Sequence, residues 1–171
     1  MTYDLVVKGG LVVTAEQAAV ADVAVSGERI AAVGNGLRGA VELDARGLYV
    51  IPGAVDGHVH LNDPTFPPYA VFTADSFATG TRAAAFGGVT TVVDFAQPAV
   101  GQSLVDGLDQ RLADADDEAV IDYGLHLNLR DPDPARLEEV PAVFARGVPS
   151  FKLYMAYEGY RLPDAAIFRA M

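Results

Sequence analysis

Two histidines set one residue apart carry the first chemical signal in this sequence. They stand in Val55-Asp56-Gly57-His58-Val59-His60, and the chain holds only three histidines in all. Side chains at i and i+2 of a strand point to the same face. An extended backbone here projects both imidazoles together, an arrangement suited to one shared cation. The bland alternative is two unrelated histidines, and spacing alone leaves both open. The setting favours the first, because the pair directly follows Pro52-Gly53 and a short apolar strand.

The second signal is a lysine inside an apolar run, Ser150-Phe151-Lys152-Leu153-Tyr154-Met155. Burial disfavours the charged form of an ammonium. Snorkelling or an ion pair with a carboxylate is the favoured resolution. A chemical one also exists. A neutral amine takes up carbon dioxide and becomes a carbamate, whose two oxygens bridge metal ions about 3.5–4 Å apart. His126, in Leu125-His126-Leu127, reads as a satisfied core or rim histidine. Asp94, at a strand end, could support a neighbouring ligand or simply cap the strand, and stays unassigned.

These residues need elements to hold them. Residues 1 to about 50 read as short strands with tight turns. Lys8-Gly9-Gly10 between two apolar triplets predicts a hairpin, and Ser26-Gly27 predicts another turn. After Pro52-Gly53 the rhythm changes to strand-helix alternation. Strands are predicted at Ala54-Val55, Val89 to Phe95, Tyr123 to Leu129 and Ser150 to Met155. Helices are predicted from Ser76 to Phe86, after Ser103, from Pro134 to Gly147 with a break at Pro141, and from Pro163. Gly87-Gly88 reads as a helix stop and tight turn. Alternation of this kind implies a parallel sheet covered by helices. Four strands make about half of a closed (β/α)₈ barrel. The fold class is therefore α/β: residues 53–171 form a partial TIM-type barrel, and a small β segment, residues 1–52, precedes it.

Composition narrows the function. The chain has 171 residues, half of them apolar, and a formal net charge of −11. That balance argues against a nucleic-acid partner. No cysteine is present, so any metal must rest on imidazole, carboxylate or something less usual. The start, Met1-Thr2-Tyr3-Asp4, lacks the features of a signal peptide, and no apolar run approaches a membrane span. A cytoplasmic protein without membrane contact is expected.

Taken together, several segments resemble the hydantoinase and dihydropyrimidinase family of the amidohydrolase superfamily. They are His58-Val59-His60, Phe72 to Phe77, Gly80 to Gly88, Val89 to Phe95, and Ser150-Phe151-Lys152 through Tyr157. The similarity is collinear over essentially the whole chain and covers the N-terminal portion of such proteins. It implies a metal-bearing barrel joined to a β-sandwich. It implies hydrolytic opening of a cyclic ureide or imide by water activated between two divalent metals, with zinc expected. His58 and His60 match the paired ligands of the more buried metal. Lys152 matches the lysine that becomes N6-carboxylysine and bridges both metals. Tyr157 matches a tyrosine that binds substrate and supports the developing oxyanion; read from sequence alone, it serves equally well as a packing aromatic. Two more histidines and an aspartate, from later strands, have no counterpart in these residues. The 171 residues alone are therefore expected to be inactive and to bind metal weakly at best, and a homodimer or homotetramer is implied for full-length members.

One departure concerns substrate. Leu61-Asn62-Asp63-Pro64 is closer to the Asn-Glu-Pro of allantoinases than to the hydantoinase pattern. Allantoinase or dihydroorotase chemistry on another ring is thus an alternative, as is a scaffold that has lost catalysis. Asn62 is a candidate substrate contact, with a turn role equally open.

Overall fold

The computed structural model describes residues 2–63 and 72–171; Met1 and Pro64 lie outside them. The chain divides into two compact units, Met1–Pro52 and Gly53–Met171.

The first unit is one five-stranded sheet. Strands β1 (Tyr3–Val13), β2 (Ala18–Ser26), β3 (Arg29–Gly34) and β4 (Gly39–Asp44) lie in the order β3-β2-β1-β4, and β5 (Tyr49–Val50) also pairs with β1. Ser26 faces Arg29 across a turn through Gly27, whose φ of 57° suits glycine. The hairpin expected at Lys8-Gly9-Gly10 is absent. Instead β1 runs straight through as a single strand with a bulge between Val7 and Gly10. The reason is a change of partner. Before the bulge β1 pairs in parallel with β4, ending at Lys8 opposite Asp44; beyond it β1 pairs with β5 from Leu11 onward. A Cβ on Gly10 would lie 2.5 Å from Val50 Cγ2, so only glycine lets β5 approach there. The sandwich expected from the resemblance would require a second facing sheet. Among the described residues this unit contains one sheet only.

Asp22 locks the bulge from β2. Its carboxylate accepts from Lys8 Nζ at 2.7 Å, from the Gly9 amide at 2.9 Å and from the Leu37 amide at 3.1 Å. The bond from Lys8 and the two amides hold the Asp22 carboxyl below its ordinary pKa, against the opposing effect of burial.

The second unit is a four-stranded parallel sheet in the order β6-β7-β8-β9: Ala54–Asp56, Val89–Ala96, Asp122–Asn128 and Phe151–Lys152. Each strand lies beside its neighbour in sequence. That is the winding of a barrel, since a doubly wound sheet reverses its order partway. Helices α1 (Phe77–Phe86), α2 (Leu104–Asp116), α3 (Pro134–Glu138), α4 (Val140–Ala145) and α5 (Asp164–Ala170) connect or follow the strands. Ser76 caps α1 in a reciprocal box with Thr79, and Ser103 caps α2 by accepting from the Asp106 amide. Pro141 accounts for the break between α3 and α4, because it cannot donate to the turn before it. Leu104 and Leu108 of α2 are fully buried and pack with Leu125, Leu127 and Val143 to form the core. Among the described residues no helix is long and apolar enough to cross a membrane.

The lowered pKa of Asp22 sets an acid dependence. Above the unfolded carboxylate value, about pH 3.9, its stabilising contribution is fully present; it disappears as pH falls through the lower folded value. Asp22→Asn is expected to lower the thermal midpoint at pH 7 and to flatten the loss of stability below pH 4, read by circular dichroism.

Candidate functional site

The C-terminal ends of the parallel strands bring together residues far apart in sequence. His58 and His60 follow β6, where the Val59 amide still donates to the Val93 carbonyl at 3.1 Å and so keeps the segment extended beside β7. Their Nε2 atoms face each other at 3.3 Å. Lys152 ends β9 on the opposite edge. A cleft of about 460 Å³ is lined by His58, His60, Lys152, Tyr154 and Tyr157.

His58, His60 and Lys152 all meet one ring, Phe95, near the end of β7. It is nearly fully buried, at 3% exposure. His60 stacks on its ring, with centroids 4.8 Å apart and 13° between planes; His58 tilts against it at 4.7 Å. Lys152 Nζ lies 4.2 Å from the same centroid and 4.9 Å from that of Tyr154. Among the described residues no carboxylate lies within ion-pair distance of Lys152. The ion-pair resolution weighed for this lysine is therefore not the one adopted. The amine rests on two aromatic faces instead. Burial pushes its pKa down, while the charge of Asp63 pulls it up. Burial, then the nearby charges of Lys152, His60 and His126, lower the pKa of His58, which favours the neutral imidazole a ligand requires.

His126 also tilts against Phe95, at 5.0 Å between centroids. Its Nδ1 pairs with Ser150 Oγ at 2.5 Å and its Nε2 with the Gly57 carbonyl at 3.0 Å. Both nitrogens are engaged in bracing β8 against its neighbours.

Tyr157 adopts a left-handed φ of 68°, uncommon for a bulky residue. Its carbonyl accepts from the amides of Tyr160 and Arg161, which brace the turn. The ring stands exposed on the cleft, edge-on to Tyr154 at 6.1 Å between centroids. Asn62 is placed elsewhere. It turns at φ 43° and lines an adjoining cleft together with Asp63, Phe95, Gln97 and Arg111. Its conformation matches the turn role.

Several contributors carried no strong sequence signal. Asp63 Oδ2 lies 2.7 Å from His60 Nδ1, and Gln97 Nε2 reaches both oxygens of Asp63 at 2.6 and 2.7 Å. The spacing His60-x-x-Asp63 was the available clue. Asp94, fully buried, accepts from the Leu61 amide at 3.1 Å and from Arg111 Nη2 at 2.7 Å. Arg111 also donates to the Leu61 carbonyl, so the pair clamps the backbone directly after His60. Burial raises the Asp94 pKa, opposed by Arg111 and two backbone amides.

The histidine spacing tests the site against a metal. Two zinc–nitrogen bonds of about 2.0–2.1 Å at a tetrahedral angle place their nitrogens about 3.3–3.4 Å apart. The observed 3.3 Å matches that edge. Among the described residues no group of three or more histidine, aspartate or glutamate side chains converges on one point. Two imidazoles and an amine are therefore a partial donor set, fitted to one metal edge and open beyond it.

No protein-family model matches the chain. Relatives do. A D-hydantoinase of Streptomyces coelicolor is 45% identical over 179 aligned residues, which take in 100% of this chain and 38% of that protein. The structure of a D-hydantoinase from a Bacillus species superposes with a TM-score of 0.89 at 41% identity, over 98% of this chain and 37% of that one. A dihydropyrimidinase from Brevibacillus agri gives 0.91 at 39% identity, over 96% and 37%. The chain thus spans little more than a third of the length of the relatives it matches.

Removing Arg111 leaves a buried carboxylate without its partner. Arg111→Met is expected to cost about 3–5 kcal/mol in denaturant unfolding near neutral pH. Because the folded pKa of Asp94 is raised, the folded state binds the extra proton as pH falls. The penalty is therefore expected to be smaller at pH 5 than at pH 8.

Proposed function

Since this chain is a relative of the D-hydantoinases and dihydropyrimidinases over its whole length, we propose that it supplies one wall of the active site of a hydrolase that opens cyclic amides of the hydantoin or dihydropyrimidine type. The observation that carries the proposal is the 3.3 Å separation of the two Nε2 atoms in a cleft shared with Lys152. In this reading His58 and His60 hold one of two divalent metals, with zinc, the ion the resemblance implies, compatible with their nitrogen spacing. Such metals, when bound, lower the pKa of water toward neutrality and polarise a carbonyl.

The chain's own residues then have separate tasks. His58 and His60 present ring nitrogens to the cleft. Lys152, driven toward its neutral form by burial, attacks carbon dioxide through its lone pair. A C–N bond forms, the amine proton leaves to solvent, and the resulting carbamate carries the negative charge that two cations need. The ring carbonyl of the substrate faces Tyr157, whose phenol donates a hydrogen bond as negative charge builds on that oxygen. Phe95 and Tyr154 set their rings against the amine and limit water around it. Asn62 lies outside this cleft and is given no part in it.

Two measurements test the reading. The 171-residue chain is expected to bind zinc weakly but measurably, and His58→Ala with His60→Ala is expected to abolish that binding, read by equilibrium titration with zinc. In the protein carrying the whole catalytic domain, hydantoin or dihydrouracil ring opening is expected, and Tyr157→Phe is expected to lower kcat about 10²–10³-fold. A protein that takes up no zinc and opens neither ring is a scaffold, and the hydrolase reading then fails.

A further inference from the structure

We infer that Asp63, held by Gln97, is a positioning residue that sets which nitrogen of His60 faces the cleft with a lone pair. The inference rests on the reading of His58 and His60 as a cation-holding pair. It concerns a carboxylate that this reading does not use.

An imidazole has two nitrogens, and in the neutral ring one carries the proton while the other accepts. His60 is useful to a cation only if Nε2 is the bare one. An ionised carboxylate can only accept hydrogen bonds. Asp63 Oδ2, at 2.7 Å, therefore selects the tautomer with the proton on Nδ1 and leaves Nε2 bare. Nε2 is the atom that faces His58.

Asp63 is itself fixed. It is 7% exposed. The Gln97 amide donates to both of its oxygens, its own backbone amide donates to Thr73 Oγ1 at 2.9 Å, and the Thr73 amide donates back to the Asp63 carbonyl at 2.9 Å. Gln97 follows β7, two residues beyond Phe95, on which His60 stacks at 13°. One strand end thus fixes the plane of the ring through Phe95 and its protonation through Gln97 and Asp63.

The assignment predicts a spectroscopic state that exists before any metal is added. In the metal-free 171-residue chain labelled with ¹⁵N-histidine, His60 is expected to show the Nδ1–H form at pH 7.5. Asp63→Leu is expected to convert it to the Nε2–H form or a mixture, and to weaken zinc binding about 10–100-fold. Asp63→Asn is the variant safe for folding. Its amide oxygen can still accept from Nδ1, so the tautomer is expected to persist while zinc affinity falls by less. Two results overturn the inference: wild-type His60 protonated at Nε2, or Asp63→Leu with both tautomer and zinc affinity unchanged. If the wild type binds no zinc, the metal reading fails separately, and the tautomer comparison still decides the role of Asp63.

Discussion

The cleft depends on one aromatic ring. Phe95 touches three imidazoles and the Lys152 amine, all within about 5 Å of its ring centroid. Crowding basic groups together is costly, and the one carboxylate in direct contact with them, Asp63, meets His60 at Nδ1 and not at the nitrogen that faces His58. The negative face of an aromatic ring offsets part of that cost. It attracts the amine, gives the imidazoles a flat support, and donates no oxygen of its own. Because Phe95 lies on an inner strand of the sheet, its position is fixed by neighbours on both sides.

Around that ring the acids are kept back one layer and given separate duties. Asp94 with Arg111 holds backbone, gripping both the amide and the carbonyl of Leu61. Asp63 with Gln97 holds a side chain. The loop after β6 is therefore fixed in place by one pair and its ring oriented by the other. The cost of burying Asp94, visible in its raised pKa, is part of keeping a loop rigid where no strand continues.

The histidine pair was legible in the sequence because period-two geometry is local, and Lys152 because an amine in an apolar run is conspicuous at once. The caps at Ser76 and Ser103 and the break at Pro141 were legible for the same reason: each is decided within four residues. Gly9-Gly10 was misread because glycine serves a hairpin and a bulge equally well, and only the partners β4 and β5, more than thirty residues on, distinguish them. Asp63 and Gln97 meet across thirty-four positions, so nothing local announces their contact. Phe95 was visible only as another apolar residue in a buried strand. Asn62 was conspicuous beside the histidines, yet its left-handed turn sends it to a different cleft.

The histidines follow one outer strand and the lysine ends the other, with two strands between them. Were the sheet flat, three interstrand steps would separate β6 from β9 by about 14 Å. The reach from both margins to one ring is made up by coiling of the sheet and by the length of the lysine stem. The span between the two donor groups is in effect a gauge of curvature. The twist carried by β7 and β8, the two strands between them, contributes to that span.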